Sequence, residues 1–263
     1  MPTWKLTIEY EGTRYHGWQE QKNARTIAGE IRRAAEDFFK APVELSGAGR
    51  TDAGVHALGQ VARLRAAKML RPLELIRVLN DRLPSDINIL SVEEARHNFH
   101  PRHDAVLRFY LYQISRRRSA FAKKYVWWIK DSLDIEKMQQ AACLVSGRHD
   151  FVAFSDKREE EKSTIVVVEG CELKVAGDLI VLRIGASHFL WKMVRRIVGA
   201  LAAVGRGNLA VEQFSALLDS RREAAKQIFD IAANTAPPSG LFLEKITYTE
   251  KDKPLPIKPT LNL

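Results

Sequence analysis

The side chains best suited to chemistry are concentrated in one glycine-rich segment, residues 46–57, which reads SGAGRTDAGVHA. Arg50, Asp52 and His56 bring a guanidinium, a carboxylate and an imidazole into this segment. Its glycines permit positive φ angles and close approach of the backbone. Because loops with these properties often carry binding or catalytic residues, the segment is the first candidate for a functional site.

Two common phosphate-binding patterns do not fit this segment. Gly49 and Gly54 have the spacing of the first two glycines of a P-loop. That motif then requires lysine and serine or threonine, but Val55 and His56 follow instead. Asp52 stands where the dinucleotide-binding fingerprint needs its third glycine. A structural alternative stays open, because an aspartate beside glycine often caps a tight turn.

Three histidines spaced three residues apart suggest a metal site, but their context does not support one. They are His97, His100 and His103. Pro101 would break the helix that could align them, and no cysteine completes a ligand set. We therefore expect no bound metal.

The glycine-rich segment is predicted to follow a strand, a helix and a second strand. Alternating apolar residues predict a half-buried strand from Trp4 to Tyr10. Helical spacing from Thr26 to Lys40 predicts a helix, which Pro42 ends before a short strand at residues 43–45. We therefore expect the segment to be a loop that the elements around it hold in place.

Strands and helices also mix in the rest of the chain. Residues 109–114 are apolar on both faces, which suits a strand covered on both sides of a sheet. A hairpin is predicted around Gly177 and Asp178, and a helix from Phe189 to Val204. These elements lack the regular alternation of a doubly wound fold, so we expect an α+β fold with helices on a mainly antiparallel sheet.

A boundary near Ala105 divides the predicted elements into two halves. The N-terminal half, residues 1–104, contains the glycine-rich loop, and the C-terminal half is residues 105–263. The tail from Lys251 to Leu263 contains three prolines and is predicted to be extended.

Composition restricts the class of protein. The chain has 263 residues, of which 46% are hydrophobic and 28% charged, so disorder and fibrous repeats are excluded. Lysine and arginine total 41 against 32 acidic residues, which gives a net charge of +9 and favours a polyanionic partner such as nucleic acid. Clustered basic residues that could contact phosphates are Arg32, Arg33, Arg116 to Arg118, Lys123, Lys124, Arg221 and Arg222.

The cysteines and the apolar segments indicate the compartment. Cys143 and Cys171 lie far apart without a CxxC pair, so neither a disulfide framework nor a thiolate metal site is supported. The N-terminus has no apolar signal segment, and basic residues interrupt the apolar stretch at residues 189–204. We expect a cytoplasmic protein that does not span a membrane.

One long segment and several shorter ones share a family pattern. The long segment is GRTDAGVHA at residues 49–57. The shorter ones follow the same order along the chain and are Tyr10–Thr13 with Gly17–Gln21, Phe99–Arg102, Arg108–Tyr112, Met193–Gly199 and Gly240–Leu243. Together they resemble the tRNA pseudouridine synthase A family over nearly the whole chain.

The resemblance implies roles for four residues. Asp52 would be the catalytic nucleophile, and Arg195 would form an ion pair with it. Tyr110 would stack on the uracil base and assist proton transfer, and Leu241 would pack against the reacting base. Arg50, which lies in the same loop as Asp52, is then a candidate wedge or phosphate anchor for the flipped nucleotide.

For Arg195 and Tyr110, the residues alone favour a different interpretation from the one that the resemblance implies. The apolar stripe of the predicted helix at residues 189–204 leaves Arg195 on the opposite side, which favours a solvated face. Periodicity does not distinguish Arg195 from Arg196 as the functional arginine. Tyr110, taken by itself, would be interpreted as a core aromatic on a covered strand.

The resemblance also implies an activity and a fold. The activity is isomerisation of uridine to pseudouridine at positions 38, 39 and 40 of tRNA, in the anticodon stem-loop, with base flipping and without a metal or organic cofactor. The fold is that of pseudouridine synthases, with two pseudo-symmetric ferredoxin-like or RRM-like halves, and the family implies a homodimer. The alternative function is a noncatalytic RNA-binding module of the same fold, which would bind RNA without isomerising it.

Overall fold

The structure is a computed structural model that describes residues 1–156, 163–249, 252, 254 and 256–261. The chain divides into two compact units. Unit 1 is Met1–Val106 with Phe242–Lys253, and unit 2 is Leu107–Leu241 with Pro254–Leu263. The predicted halves, residues 1–104 and 105–263, differ from these units mainly after Leu241, where the chain returns to unit 1.

The helices and strands follow one another in mixed order. They are β1 (Thr3–Tyr10), α1 (Ile27–Phe39), β2 (Glu44–Gly47), β3 (His56–Arg65), α2 (Pro72–Asn80), β4 (Ile87–Glu94), β5 (Leu107–Ser115), β6 (Trp127–Trp128), α3 (Ile135–Leu144), β7 (Gly147–Asp150), β8 (Ile165–Ala176), β9 (Leu179–Ala186), α4 (Met193–Gly205), α5 (Val211–Leu217), α6 (Arg222–Ile228) and β10 (Leu241–Thr247).

In unit 1, β1 lies between β3 and β4 in an antiparallel sheet. β2 pairs antiparallel with the end of β3, while β10 runs parallel to its start. The alternation that predicted β1 buries Trp4, Leu6 and Ile8 completely. Burial of each such side chain contributes about 1.5–3 kcal/mol to folding. Because β3 begins at His56, this sheet fixes the position at which the glycine-rich loop ends.

In unit 2, β5, β9, β8 and β7 are neighbours in an antiparallel sheet, and β6 runs parallel beside the end of β5. The hairpin from β8 to β9 turns at Gly177, whose φ is +58°, where the sequence predicts a turn. The predicted α+β fold with helices and a mainly antiparallel sheet is therefore confirmed.

The structure departs from the sequence prediction where local conformation overrides periodicity. α4 begins at Met193 rather than Phe189, because Lys192 adopts a left-handed conformation with φ of +63°. β6, β7 and α6 were not predicted, since two to seven residues are too few to show a period. The tail predicted to be extended falls partly outside the described residues. Its Thr260 N–H donates to Gln113 Oε1 at 2.7 Å.

Within the described ranges, no helix combines the length and the apolar character needed to cross a bilayer.

Candidate active site

Asp52 lies in the loop between β2 and β3, and β3 holds the entrance of this loop. The Ala48 N–H donates to the Val61 carbonyl at 2.8 Å. The side-chain amide of Gln60 donates to the Gly49 carbonyl at 2.9 Å. The path of the backbone toward the carboxylate is therefore set by the sheet.

The segment that follows β1 holds the loop on both sides of the carboxylate. The hydroxyls of Tyr10 and Thr51 are hydrogen-bonded at 2.8 Å, and the Trp18 N–H donates to the Thr51 carbonyl at 3.1 Å. On the other side, the Gly54 N–H donates to the Tyr15 carbonyl at 3.3 Å. These contacts join the chain that follows β1 to residues 49–57. Both stretches carry parts of the family pattern.

Two glycines allow the backbones of these segments to touch. Gly17 has φ of +86°, and a Cβ atom there would lie 2.4 Å from the Thr51 carbonyl oxygen. A Cβ atom on Gly12 would lie 1.9 Å from the Val55 carbonyl oxygen. Of the glycines in the loop itself, Gly54 has a positive φ, of +76°. Any side chain at position 12 or 17 would therefore displace the loop.

The charged residues of the loop differ in exposure. Arg50 is exposed, and Asp52 is half-buried. The turn after Asp52 is closed by its backbone, because the Val55 N–H donates to the Asp52 carbonyl at 3.2 Å. The backbone at Asp52 is therefore held in place, and its side chain remains partly accessible.

His56, the third ionisable residue of the segment, has a structural position. It is 1% exposed and stacks on Phe242 with ring centroids 4.7 Å apart. Its Nδ1 accepts a hydrogen bond from the Gly12 N–H at 3.0 Å, so this nitrogen carries no proton. His56 thereby links β3, β10 and the segment after β1.

Sequence reasoning missed a buried tyrosine that supports the loop. The Tyr15 hydroxyl donates to Asp86 Oδ1, and the Arg25 guanidinium lies 4.8 Å from the centre of the Tyr15 ring. Burial and the Asp86 carboxylate raise the pKa of Tyr15 far above its usual value, so the hydroxyl stays a donor. No periodicity or motif marks this cluster, because its members are far apart in the sequence.

The candidate metal ligands do not converge. His97 contacts Arg65, whereas the rings of His100 and His103 lie 4.1 Å apart. Over the residues that the structure describes, no group of three histidine, cysteine or carboxylate side chains is arranged around a possible metal position.

In unit 2, Tyr110 lies on β5 opposite Ile184 of β9. It is half-buried, and its ring meets Phe189 edge-on at a centroid distance of 5.0 Å. Tyr112 follows two residues later and so projects from the same face of the strand, but it is completely buried. Tyr110 is therefore the more accessible of the two tyrosines on this face.

The two adjacent arginines of α4 have different partners. Arg195 is half-buried, and its Nε donates to the Ala236 carbonyl at 2.7 Å. Arg196 is 5% exposed and donates to Asp156 Oδ1 at 2.6 Å. Every residue of α4 except Arg195 is buried, so Arg195 lies on the most accessible side of the helix, as the helical wheel indicates, whereas Arg196 is buried.

Asp156 also accepts a hydrogen bond from Lys192 Nζ at 2.9 Å. Burial raises the pKa of the Asp156 carboxyl, but the hydrogen bonds from Lys192 and Arg196 outweigh burial and hold this pKa below its usual value. Arg196 therefore has a carboxylate partner within unit 2.

Leu241 is 6% exposed and begins β10. It belongs to unit 2 together with Tyr110 and Arg195, whereas Arg50 and Asp52 belong to unit 1. The ion pair between Asp52 and Arg195 stays a prediction.

Several of the basic residues expected to contact phosphates are engaged within the protein. Arg32 forms an ion pair with Glu20 at 2.7 Å, and Arg33 pairs with Glu30. Arg222 donates to the carbonyls of Val152 and Ser155, at 2.9 and 2.5 Å. These contacts favour a structural role for Arg222, whereas Arg33 remains 74% exposed.

The basic segment at residues 116–124 is also exposed, although Arg116 donates to the Gly177 carbonyl and Arg117 pairs with Asp178. Arg116, Arg117, Arg118 and Lys123 are exposed. Phe121, at the centre of this segment, is 95% exposed. Arg118 also lies over the ring of Trp128, which is 41% exposed, at 5.8 Å. An exposed aromatic residue therefore lies between exposed basic residues in the sequence.

Comparison with known proteins gives consistent results. The family model described as "tRNA pseudouridine synthase" matches residues 6–104 and 141–249. The tRNA pseudouridine synthase A of Thermodesulfovibrio yellowstonii is 37% identical over 93% of this chain and 98% of its own length. That of Thermosipho melanesiensis is 38% identical over 94% of this chain and 100% of its own length. The tRNA pseudouridine synthase A 2 of Bacillus thuringiensis is 37% identical over the same shares.

Proposed function

The chain belongs to the tRNA pseudouridine synthase family, and we propose that it isomerises uridine in the anticodon stem-loop of tRNA with Asp52 as the nucleophile. The observation that carries the proposal is the Asp52 loop, which hydrogen bonds hold on both sides of the carboxylate. The tRNA positions 38, 39 and 40 follow from the family resemblance.

The chemistry of this isomerisation defines what the site must supply. The bond from ribose C1′ to uracil N1 breaks, and a bond from C1′ to C5 forms. C5 loses a proton and N1 gains one, so the reaction balances without a redox cofactor or an energy donor. The site needs a nucleophile, a group that moves the C5 proton, and a pocket for the flipped nucleotide.

The proposed roles follow the accessibility of each side chain. Arg195 pairs with Asp52 and keeps the carboxylate ionised where water is excluded. The accessible ring of Tyr110 stacks on uracil, and its hydroxyl assists proton transfer at C5. Leu241 supplies an apolar wall, and the exposed Arg50 holds a backbone phosphate or fills the space that the flipped base leaves.

We assign RNA docking to the basic segment at residues 116–124. Its arginines and lysines bind phosphates without reading sequence. Phe121 offers a flat apolar face on which an RNA base can stack. The segment is well placed to present this ring, because Ala122 beside it is 1% exposed and its N–H is capped by the Ser119 hydroxyl at 3.2 Å.

Substitution of Asp52 tests the proposal directly. Purified Asp52→Ala and Asp52→Asn variants should form no pseudouridine in unmodified tRNA, as mapped position by position. Both should bind tRNA as tightly as the wild type, because docking depends on the basic surface. The exposed Asp81 in the same unit provides the matched control, and Asp81→Asn should remain fully active.

Each alternative gives a different result. Pseudouridine formation undiminished in Asp52→Ala would refute the nucleophile assignment. Tight, salt-sensitive RNA binding by the wild-type protein without any isomerisation would favour the noncatalytic RNA-binding module.

We also propose that the protein acts as a homodimer, as the family resemblance implies. Gel filtration with light scattering should give twice the mass of one chain. A fully active monomer would contradict this part of the proposal.

A further inference from the structure

Arg195 of α4 is hydrogen-bonded to a backbone segment of unit 2 that is distant in the sequence. Its Nε donates to the Ala236 carbonyl at 2.7 Å, and the Ala236 N–H donates back to the Arg195 carbonyl at 3.0 Å. Ala236 is completely buried. The direction of the guanidinium therefore depends on where residue 236 lies.

The same segment rests directly on the next turn of α4. Gly199 follows Arg195 by four residues and so lies on the same face of the helix. A Cβ atom on Gly199 would lie 1.8 Å from the Asn234 carbonyl oxygen. The segment from Asn234 to Pro237 thus has backbone contact with α4 at two successive turns.

Tyr112 holds the other end of this segment. Its hydroxyl donates to the Pro237 carbonyl at 2.8 Å. Its ring lies against Gly240, where a Cβ atom would be 2.6 Å from Tyr112 Cε1. Burial raises the pKa of Tyr112 well above its usual value, so the hydroxyl stays protonated and remains a donor.

We propose that Tyr112 is a positioning residue that aims the Arg195 guanidinium by fixing the Ala236–Pro237 backbone. The inference rests on the role proposed above for Arg195. This role also gives β5 two functions on one face of the strand. Tyr110 would stack on the base, and Tyr112 would position the Arg195 guanidinium. Tyr112 itself touches no substrate.

Replacement of Tyr112 by phenylalanine removes one hydroxyl and keeps the ring in contact with Gly240. Displacement of a catalytic group by about 1 Å costs up to about 100-fold in rate, so we expect kcat to fall by about 10-fold to 100-fold. The KM for tRNA should stay within about threefold of the wild type, because phosphate contacts elsewhere supply the binding.

Tyr248→Phe is a matched control within the same protein. The Tyr248 hydroxyl also donates to a proline carbonyl, that of Pro101, at 2.8 Å, but in unit 1. The two variants should lower the thermal unfolding midpoint similarly, while Tyr248→Phe keeps kcat. If Tyr112→Phe lowers kcat no more than Tyr248→Phe does, or raises only KM, the inference is wrong.

A double-mutant cycle with Arg195→Lys separates the two proposals. Lysine lacks the planar Nε donor, so it cannot use the Ala236 carbonyl in the same way. In that background Tyr112→Phe should lower kcat by less than about twofold, because residues that act through one another are not additive. Full additivity would refute positioning through Arg195. Full activity of Arg195→Lys alone would instead overturn the role of Arg195 itself.

Discussion

The close contact between Gly17 and the Asp52 loop gives a sharp prediction about catalysis. Gly17→Ala introduces a Cβ atom 2.4 Å from the Thr51 carbonyl oxygen, at a residue whose φ is +86°. Since the Trp18 N–H donates to the same carbonyl, the clash acts on a contact that fixes the residue before Asp52.

The substitution Gly17→Ala is unfavourable for two reasons. A left-handed conformation costs an alanine about 1–2 kcal/mol relative to glycine. The clash must also be relieved by a shift of more than half an ångström, because Cβ atoms in proteins essentially never approach another heavy atom closer than 3.0 Å. If Asp52 is the nucleophile as proposed, a shift of that size beside it predicts a loss of about 10-fold to 100-fold in kcat.

Gly207→Ala provides the matched control, because it imposes the backbone strain without the clash. Gly207 has φ of +76°, and a Cβ atom there would meet no atom within 4 Å. Both variants should lose about 1–2 kcal/mol of unfolding free energy from strain. Only Gly17→Ala should lose further stability and kcat, measured by urea unfolding and by single-turnover pseudouridine formation.

The reasoning is refuted if Gly17→Ala keeps wild-type kcat and is no less stable than Gly207→Ala. In that case the contact between the two backbones would not determine the position of Asp52.

Two further predictions concern an ion pair and the RNA surface. Asp156→Asn leaves the buried Arg196 without its carboxylate, and we expect a loss of about 2 kcal/mol, less than for a fully buried pair because Asp156 is 37% exposed. The lowered pKa of Asp156 means that the pair stabilises the fold at neutral pH and that this contribution is lost as the pH falls through that pKa. Urea unfolding at several pH values should therefore show a smaller loss on acidification for Asp156→Asn than for the wild type, and equal losses would contradict the assignment. Phe121→Ala should weaken tRNA binding at constant salt by about 1–3 kcal/mol, whereas Phe121→Trp should bind normally. Leu73, which is 71% exposed, provides a control for apolar exposure, and an equal effect of Leu73→Ala would argue against stacking.

The sequence predicts those parts of the fold whose signals are local. The alternation in β1, the helical spacing in α1 and the turn at Gly177 correspond to elements of the structure. The mixture of strands and helices also predicts the α+β class. Periodicity fails at Lys192, because a single left-handed residue changes where a helix begins without changing its apolar pattern.

Prediction of the candidate site from the sequence is limited in a similar way. The Asp52 loop stands out by its residue types, but the groups that hold it and aim Arg195 do not. Arg195 is oriented by the carbonyl of Ala236, and Thr51 accepts from the N–H of Trp18. Backbone groups carry no signature of residue type, so long-range contacts of this kind become visible only when the chain is folded.

The pairing of β10 with β3 has a consequence for how the protein is made. Phe242 and Leu243 lie opposite His56 and Ala57, where the Asp52 loop ends. At about 5–20 residues per second, synthesis of the 186 residues that follow His56, up to and including Phe242, takes about 9–37 s. Until then this edge of β3 lacks its native partner and His56 lacks its stacking ring, so the end of the Asp52 loop gains its last contacts only late in synthesis.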